Sequence, residues 1–424
     1  MGALSTGKRV EVLFENAIET YEHEMQMLER VSVFRPDAAD MQHANNEIWR
    51  PARMHAPIKE GWDLSGHDGD IIKLFYPATL ETPKNDYFKQ RADDMRDQQF
   101  WEDRGKESGE KQSAYLNQRL AQLVRTQGTL FYRSADNGYD FVAEARAILN
   151  ERQTGGRNQR TFVLNNRDQK KLAKDLADRQ TLEGKPRQVY DNSLITRTAG
   201  FDVLEGSYTG VLAGGASPNT TVTGNQSFRP EATMDVAGQP RNIDYRLADV
   251  PVFSSAGYQV GDKVKIRNGT AAVNAVSLGD KEDTGQSMTF TVVGVPNAFT
   301  LSVFPKPIAA DDTTLTAEER AFANINHIIL DGAVVERLNV DAQGHANLFW
   351  TRDSLEVVGG EAPLHLLSEF GGMKVIKHTM KNGQTMYMAY DGDIDRLTFT
   401  CRLFTWWGLV NCNPAGNGVA LHTG

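Results

Sequence analysis

Asp93, Asp94 and Asp97 are the residues whose spacing comes closest to a catalytic arrangement in this chain. Paired carboxylates can act as general acid and base, or as nucleophile and acid in glycosyl transfer. Here they alternate with Arg91 and Arg96 in the run RADDMRD. At helical spacing such neighbours pair with one another on a solvated or contact face. A second candidate, Asp391-Gly392-Asp393-Ile394-Asp395, opens like a calcium loop. Its sixth position is Arg396, where glycine makes the sharp turn, and its twelfth is Arg402, where a bidentate glutamate is required. A solvated turn is the better reading.

The remaining chemical candidates are weaker. The nine histidines are scattered; His55 and His67 flank the arm within residues 46–84, His365 and His378 are far apart in sequence, and no His-Glu-x-x-His run exists. There is no phosphate loop, and Gly214-Gly215 and Gly416-Asn417-Gly418 lack the strand–glycine–helix frame of a dinucleotide site. No cofactor is expected. Cys401 and Cys412 fit neither a zinc pair nor a redox pair, which implies a reducing compartment, with a bridge between the two as the alternative. A chain of 424 residues has ample room for a site, so the missing constellation argues against an enzyme.

The elements around these residues read differently from an enzyme's. From Asn45 to Arg104 the chain sets Trp49, Trp62, Tyr87, Phe88 and Trp101 among dense Arg, Asp and Glu, the composition that protein interfaces favour. Residues 46–84, broken by Pro51, Pro57, Gly61, Gly66, Gly69, Pro77 and Pro83, read as an extended excursion with one strand at Asp70–Tyr76 and too little core to stand alone. Val10, Phe14, Ala17, Ile18, Tyr21, Met25 and Leu28 define an amphipathic helix that docks on its own domain or on a partner. From Asn85 to about Arg133 the pattern predicts a polar helix with a thin stripe at Leu116, Leu120, Leu123 and Val124, and a break near Gly105 and Gly109.

Further on, helices are expected at 139–152 and 166–182, with a buried strand at 161–164 between them, a mixed α+β pattern. Residues 206–310 turn rich in Gly, Thr, Ser and Val. Strands at 250–253, 263–267, 271–278, 288–293 and 299–304 suggest a small inserted antiparallel barrel or sandwich. Thr316-Ala317-Glu318-Glu319 is a capping box, and strands follow at 333–340, 355–358, 374–378 and 386–390 before an apolar finish at 397–410. The formal charge of −9 disfavours a general nucleic-acid binder, and no apolar run approaches the ~20 residues of a membrane span, so no membrane contact is expected.

In Asn45–Trp49, Glu60–Leu64, Arg91–Asp97, Ala199–Asp202, Ser227-Phe228, Gly261-Asp262-Lys263, the run from Pro305 to Asn326, and Asn347–Trp350, taken in order, the chain resembles the major coat proteins of phage P-twenty-two and its short-tailed relatives. The resemblance implies the tailed-phage capsid fold of the Hong Kong ninety-seven type, an α+β architecture. Its parts would be an N-terminal arm (1–45), an E-loop (46–84), a peripheral domain with a spine helix (85–133), a first axial part (134–223), an inserted β-barrel (224–336), and the rest of the axial and peripheral domains (337–424). It also implies a shell of hexamers and pentamers of this chain, built with scaffolding and portal proteins in the host cytoplasm. The shell would expand as double-stranded DNA is packaged against its inner surface without sequence preference. A loop of the insertion bridges capsomers through acids in the relatives. Here Met234–Arg241 carries only Asp235 and Arg241 as charges, so another polarity would replace that bridge.

The expected intersubunit residues are Phe14, Ile18, Trp49, Trp62, Asp63, Arg91, Asp93, Asp94, Arg96, Asp97, Asp235 and Arg241. Two other readings stand beside the coat protein. One is a hydrolase or lyase with its carboxylates at 93–97 and a β-rich substrate domain; the other is a decoration protein or tail adhesin using residues 224–310.

Overall fold

Gly105 and Gly109, one helical turn apart, lie inside a continuous helix, Gln98–Gln127, and not at a break. A Cβ added at Gly105 would fall 2.4 Å from the Leu13 carbonyl oxygen, and one at Gly109 would fall 2.5 Å from that of Ala17. The glycines therefore serve close approach of two helices, and that function outweighs their low helix propensity. Both partners belong to the same part of the chain, so the N-terminal helix Thr6–Glu24 docks on its own subunit.

The computed structural model describes residues 6–36, 46–52, 62, 73–91, 97–136, 138–152, 159–178, 197–212, 214, 219–230, 243–279, 281–339, 344–362, 373–381, 383–393 and 398–423. They fall into two compact units, neither continuous in sequence. The first comprises Met1–Ile48, Ala78–Leu120 and Glu356–Val410; the second comprises Trp49–Pro77, Ala121–Leu355 and Asn411–Gly424.

In the first unit a four-stranded antiparallel sheet runs in the order Lys374–Thr379, Thr385–Asp393, Thr398–Thr405, Lys84–Arg91. Its last strand replaces the start of the expected helix. Asn85, Tyr87, Lys89 and Arg91 are exposed while the residues between them are partly covered, a period of two that the dense charges conceal in sequence. The covered face is fastened to the long helix. Arg104 donates to both carboxylate oxygens of Asp86 (2.9 and 2.8 Å) and lies over the Phe88 ring at 4.6 Å. Trp101, fully buried, meets Phe399 edge-on at 5.4 Å, and Gln112 donates to the Leu403 carbonyl. The N-terminal helix adds Tyr21, whose hydroxyl donates to Gln384 Oε1 at 2.7 Å.

The second unit holds two larger sheets. A mixed sheet runs Leu130–Ser134, Asn417–His422, Gly344–Thr351, Arg160–Leu164, Phe201–Glu205, Arg197–Thr198. The helices Tyr139–Glu151 and Asn166–Asp178 contribute to its core, where Phe141, Phe162, Phe201 and Phe349 are all buried. Phe162 stacks on Phe349 at 5.9 Å and meets Phe201 edge-on at 5.5 Å. Asn417–His422, which looks like loop in sequence because of its Asn and Gly, is a buried strand between two others.

The other sheet runs Thr220–Thr221, Val334–Arg337, Lys263–Asn268, Thr289–Asn297, Thr300–Phe304, Ala248–Pro251, with Ala271–Ala272 beside Lys263–Asn268. Its two edges are hydrogen-bonded to each other: Phe253 N–H donates to Thr221 O (2.8 Å) and Thr223 N–H to Pro251 O (3.0 Å). Val222, Val250, Val264, Ile266, Phe290, Val292, Leu301 and Val335 fill its core. The expected capping box is present, with Thr316 Oγ1 accepting from Glu319 N–H and Glu319 answering at Thr316 N–H.

Lys263 fixes this sheet to the end of the long helix's chain. Fully buried, its Nζ donates to Thr291 Oγ1 (3.0 Å) and to the Gly128 carbonyl, which Thr291 also bonds (2.6 Å). Burial pushes the ammonium down to about 7, with Asp262 opposing the shift. Asp262 is itself held by Arg337 and Asn339.

Candidate assembly surfaces

Of the run RADDMRD, Arg91 and Asp97 are among the described residues. Arg91 is the exposed last residue of its strand, paired across the sheet with Thr398. Asp97 begins the long helix: its Oδ1 accepts the Gln99 N–H at 3.0 Å. That bond satisfies one of the amides left open at a helix N-terminus, so Asp97 has a capping role that stabilises by ~1 kcal/mol. Asp93, Asp94 and Arg96 lie outside the described residues, as do Asp63, Asp235 and Arg241.

The aromatic positions divide. Trp62 is fully exposed, at 108% of its reference area. Trp49 is half-buried in the strand Glu47–Pro51. Phe14 is buried inside its own unit, which makes Ile18, half-buried on the same helix, the one of the pair with surface to offer. The expected strand at 70–76 is shifted: Phe75–Thr79 is the strand, and residues 70–72 lie outside the described residues. The excursion is also less core-less than its punctuation suggests. Leu74 is buried with Ile308, Leu315, Phe322 and Ala323, and Ala52 N–H donates to Leu74 O at 2.8 Å.

Sequence reasoning missed two surfaces. One is the outer face of the four-stranded sheet, where Tyr87 (62% exposed), Lys89, Arg91 and Arg402 stand beside Asp391. It is aromatic and mixed in charge, as the rim of an interface is. The alternation of 85, 87, 89 and 91 was the available signal. The other is an apolar end of the second unit's closed-edge sheet, with Phe253 75% and Phe299 66% exposed.

Chemical groups elsewhere are engaged in structure. Asp168 accepts from Asn165 (3.0 Å) and Asn347 (2.8 Å), with Lys171 at 3.5 Å. Burial pushes the Cys401 thiol up to about 12, away from the thiolate a nucleophile needs. Among the described residues no three His, Cys, Asp or Glu side chains converge to hold a metal, and no helix is long and apolar enough to cross a membrane.

The family model "P22 coat protein - gene protein 5" matches residues 2–423. The chain belongs to the P22 coat protein family. It is the major capsid protein of a tailed phage, and its helix-and-sheet architecture is the α+β capsid fold of that group. Among solved structures it is similar to one from Mycobacterium phage Che8 (10% identity, TM-score 0.42), covering 92% of this chain and 88% of that one. It is similar also to the mature capsid of bacteriophage PhiM1 (10% identity, TM-score 0.42), over 93% of this chain and 86% of that one. The capsid of cyanophage P-SCSP1u is similar at 9% identity and TM-score 0.42, over 93% and 86%.

Proposed function

We propose that this coat subunit assembles as hexamers and pentamers of itself on a scaffolding protein and around a portal, in the host cytoplasm. The shell then expands as double-stranded DNA enters and meets its inner surface nonspecifically. The observation that carries this reading is the family match from residue 2 to residue 423. In this reading residues 1–45 form the arm, 46–84 the E-loop, 85–133 the spine region, 134–223 and 337–424 the axial and remaining peripheral parts, and 224–336 the insertion. The sheet with hydrogen-bonded edges, between Thr220 and Arg337, supports a barrel as that insertion.

Trp62, Trp49, Ile18 and Arg91 are proposed as subunit contacts, together with Asp63, Asp93, Asp94, Arg96, Asp235 and Arg241. A fully exposed tryptophan supports this most directly, because so large an apolar surface is costly to leave in water. The reading without catalysis is supported by Asp97 being committed to the helix cap. Co-expression with a scaffolding protein tests the proposal: closed shells should sediment from the lysate. A subunit that stays monomeric with scaffold present would refute it.

A further inference from the structure

Three neighbouring segments of the second unit are free of charge in a chain that is 24% charged: residues 219–228, 250–261 and 289–304 contain no Asp, Glu, Lys or Arg. They meet at one end of the closed-edge sheet. Val252 N–H donates to Phe299 O (2.8 Å), Ser255 N–H to Ala298 O (2.9 Å), and Phe253 N–H to Thr221 O (2.8 Å). This brings Pro251, Phe253, Val295, Pro296, Ala298 and Phe299 to the same end, all exposed. The tip is held in shape before any contact: Phe299 N–H donates to Asn297 Oδ1 and Ser255 Oγ to Asn297 O, both at 2.8 Å. At its rim Asp249 accepts from Ser302 Oγ (2.5 Å) and Asp331 from Gly224 N–H (2.6 Å).

We propose that this uncharged tip docks on an apolar surface of a second copy of the same chain within the shell. The inference rests on the coat-subunit reading and names a contact that the reading did not include. Two arguments select the occupant. Each copy carries a formal charge of −9, so approaching copies repel, and a neutral apolar contact is where that repulsion opposes association least. Area supplies the second argument. The two rings hold on the order of 300 Å² in water, and the flanking residues bring the patch to about 400 Å². A stable pair needs about 800 Å² from each partner. The tip is too small to hold two free subunits together, yet large enough to add to other contacts repeated around a shell. A weak contact of this kind keeps subunits separate until scaffolded assembly brings many contacts together.

The test uses the full chain with its scaffolding protein. Phe253→Ser with Phe299→Ser should leave the circular dichroism and thermal transition of the free subunit unchanged, because neither ring lies in a core. The concentration needed for shells should rise at least about tenfold. Phe253→Leu with Phe299→Leu should restore most of it. In shells, Phe299→Cys labelled with a maleimide-benzophenone should yield coat–coat dimers on illumination, the two native cysteines being buried and so left unlabelled; free subunits should yield none. Assembly of the serine variant at the unaltered concentration would overturn the proposal. So would cross-linking of Phe299→Cys only to scaffold or another protein. If the unaltered chain forms no shells, the coat-subunit reading fails, and this contact with it.

Discussion

Replacing Gly105 or Gly109 by alanine should destabilise this protein, although the same change stabilises an exposed helix by about 1 kcal/mol. At Gly105 the new methyl would lie 2.4 Å from the Leu13 oxygen and 3.0 Å from Asn16 Cβ; at Gly109 it would lie 2.5 Å from the Ala17 oxygen and 3.0 Å from Thr20 Cβ. A backbone oxygen cannot rotate away as a side chain can, so the N-terminal helix must retreat by about 1 Å to restore ordinary contact. That retreat disturbs Leu13, Phe14, Ala17 and Tyr21, all buried. Overpacking of this kind costs ~1–3 kcal/mol, and with a backbone clash the upper part of that range applies. Subtracting the gain in propensity leaves a loss of ~1–2 kcal/mol for each variant. The double variant should lose less than the sum, because one displacement relieves both clashes. Urea unfolding followed by circular dichroism should show a lower midpoint at unchanged slope. Lys106→Ala, an exposed position on the same helix, should stay within ~0.5 kcal/mol of the unaltered chain. A Gly105→Ala protein as stable as the parent, or more so, would refute the close-approach argument.

Other consequences can be checked alongside. Leu74→Ala should cost ~2–5 kcal/mol by opening a cavity beside Ile308, Leu315 and Phe322, measurable in the same titration. Lys263 loses its proton near pH 7 when folded but keeps it to about 10.5 when unfolded. The unfolded chain therefore binds more protons between those values, and stability should rise with pH there by up to ~1.4 kcal/mol per unit. Lys263→Met should abolish that slope, as denaturation at pH 7, 8 and 9 would show. Trp62→Ala should leave the free subunit's stability within ~0.5 kcal/mol of the parent yet reduce the yield of shells, measured by sedimentation.

Sequence periodicity revealed those elements that bury one continuous stripe or face. Phe141, Val142, Ala145 and Leu149 announced the helix Tyr139–Glu151, and Thr316 with Glu319 announced the short helix Ala317–Arg320. Lys84–Arg91 was read as helix because charges occupy its outer positions and Asp86 its inner face. What makes Asp86 tolerable there is Arg104, eighteen residues away, which local pattern cannot supply. Asn417 and Gly418 look like a turn, and only pairing with Trp350, Phe349 and Leu130 makes them strand. Gly105 and Gly109 signalled a break in isolation, since their value lies in a helix some ninety residues earlier. Of the candidate contacts, Trp62 was legible as an aromatic amid charge. Asp97 was legible as an acid but not as a cap, a role that depends on where the helix begins. The tip at Phe253 and Phe299 was hidden because exposed and buried phenylalanines look alike in a β-rich run.

The most direct test of the central claim is a negative-stain image of particles purified after co-expression with scaffolding protein. The coat-subunit account predicts closed, uniform shells whose main component is this chain. Fields containing only dispersed monomers at the same concentration would contradict it.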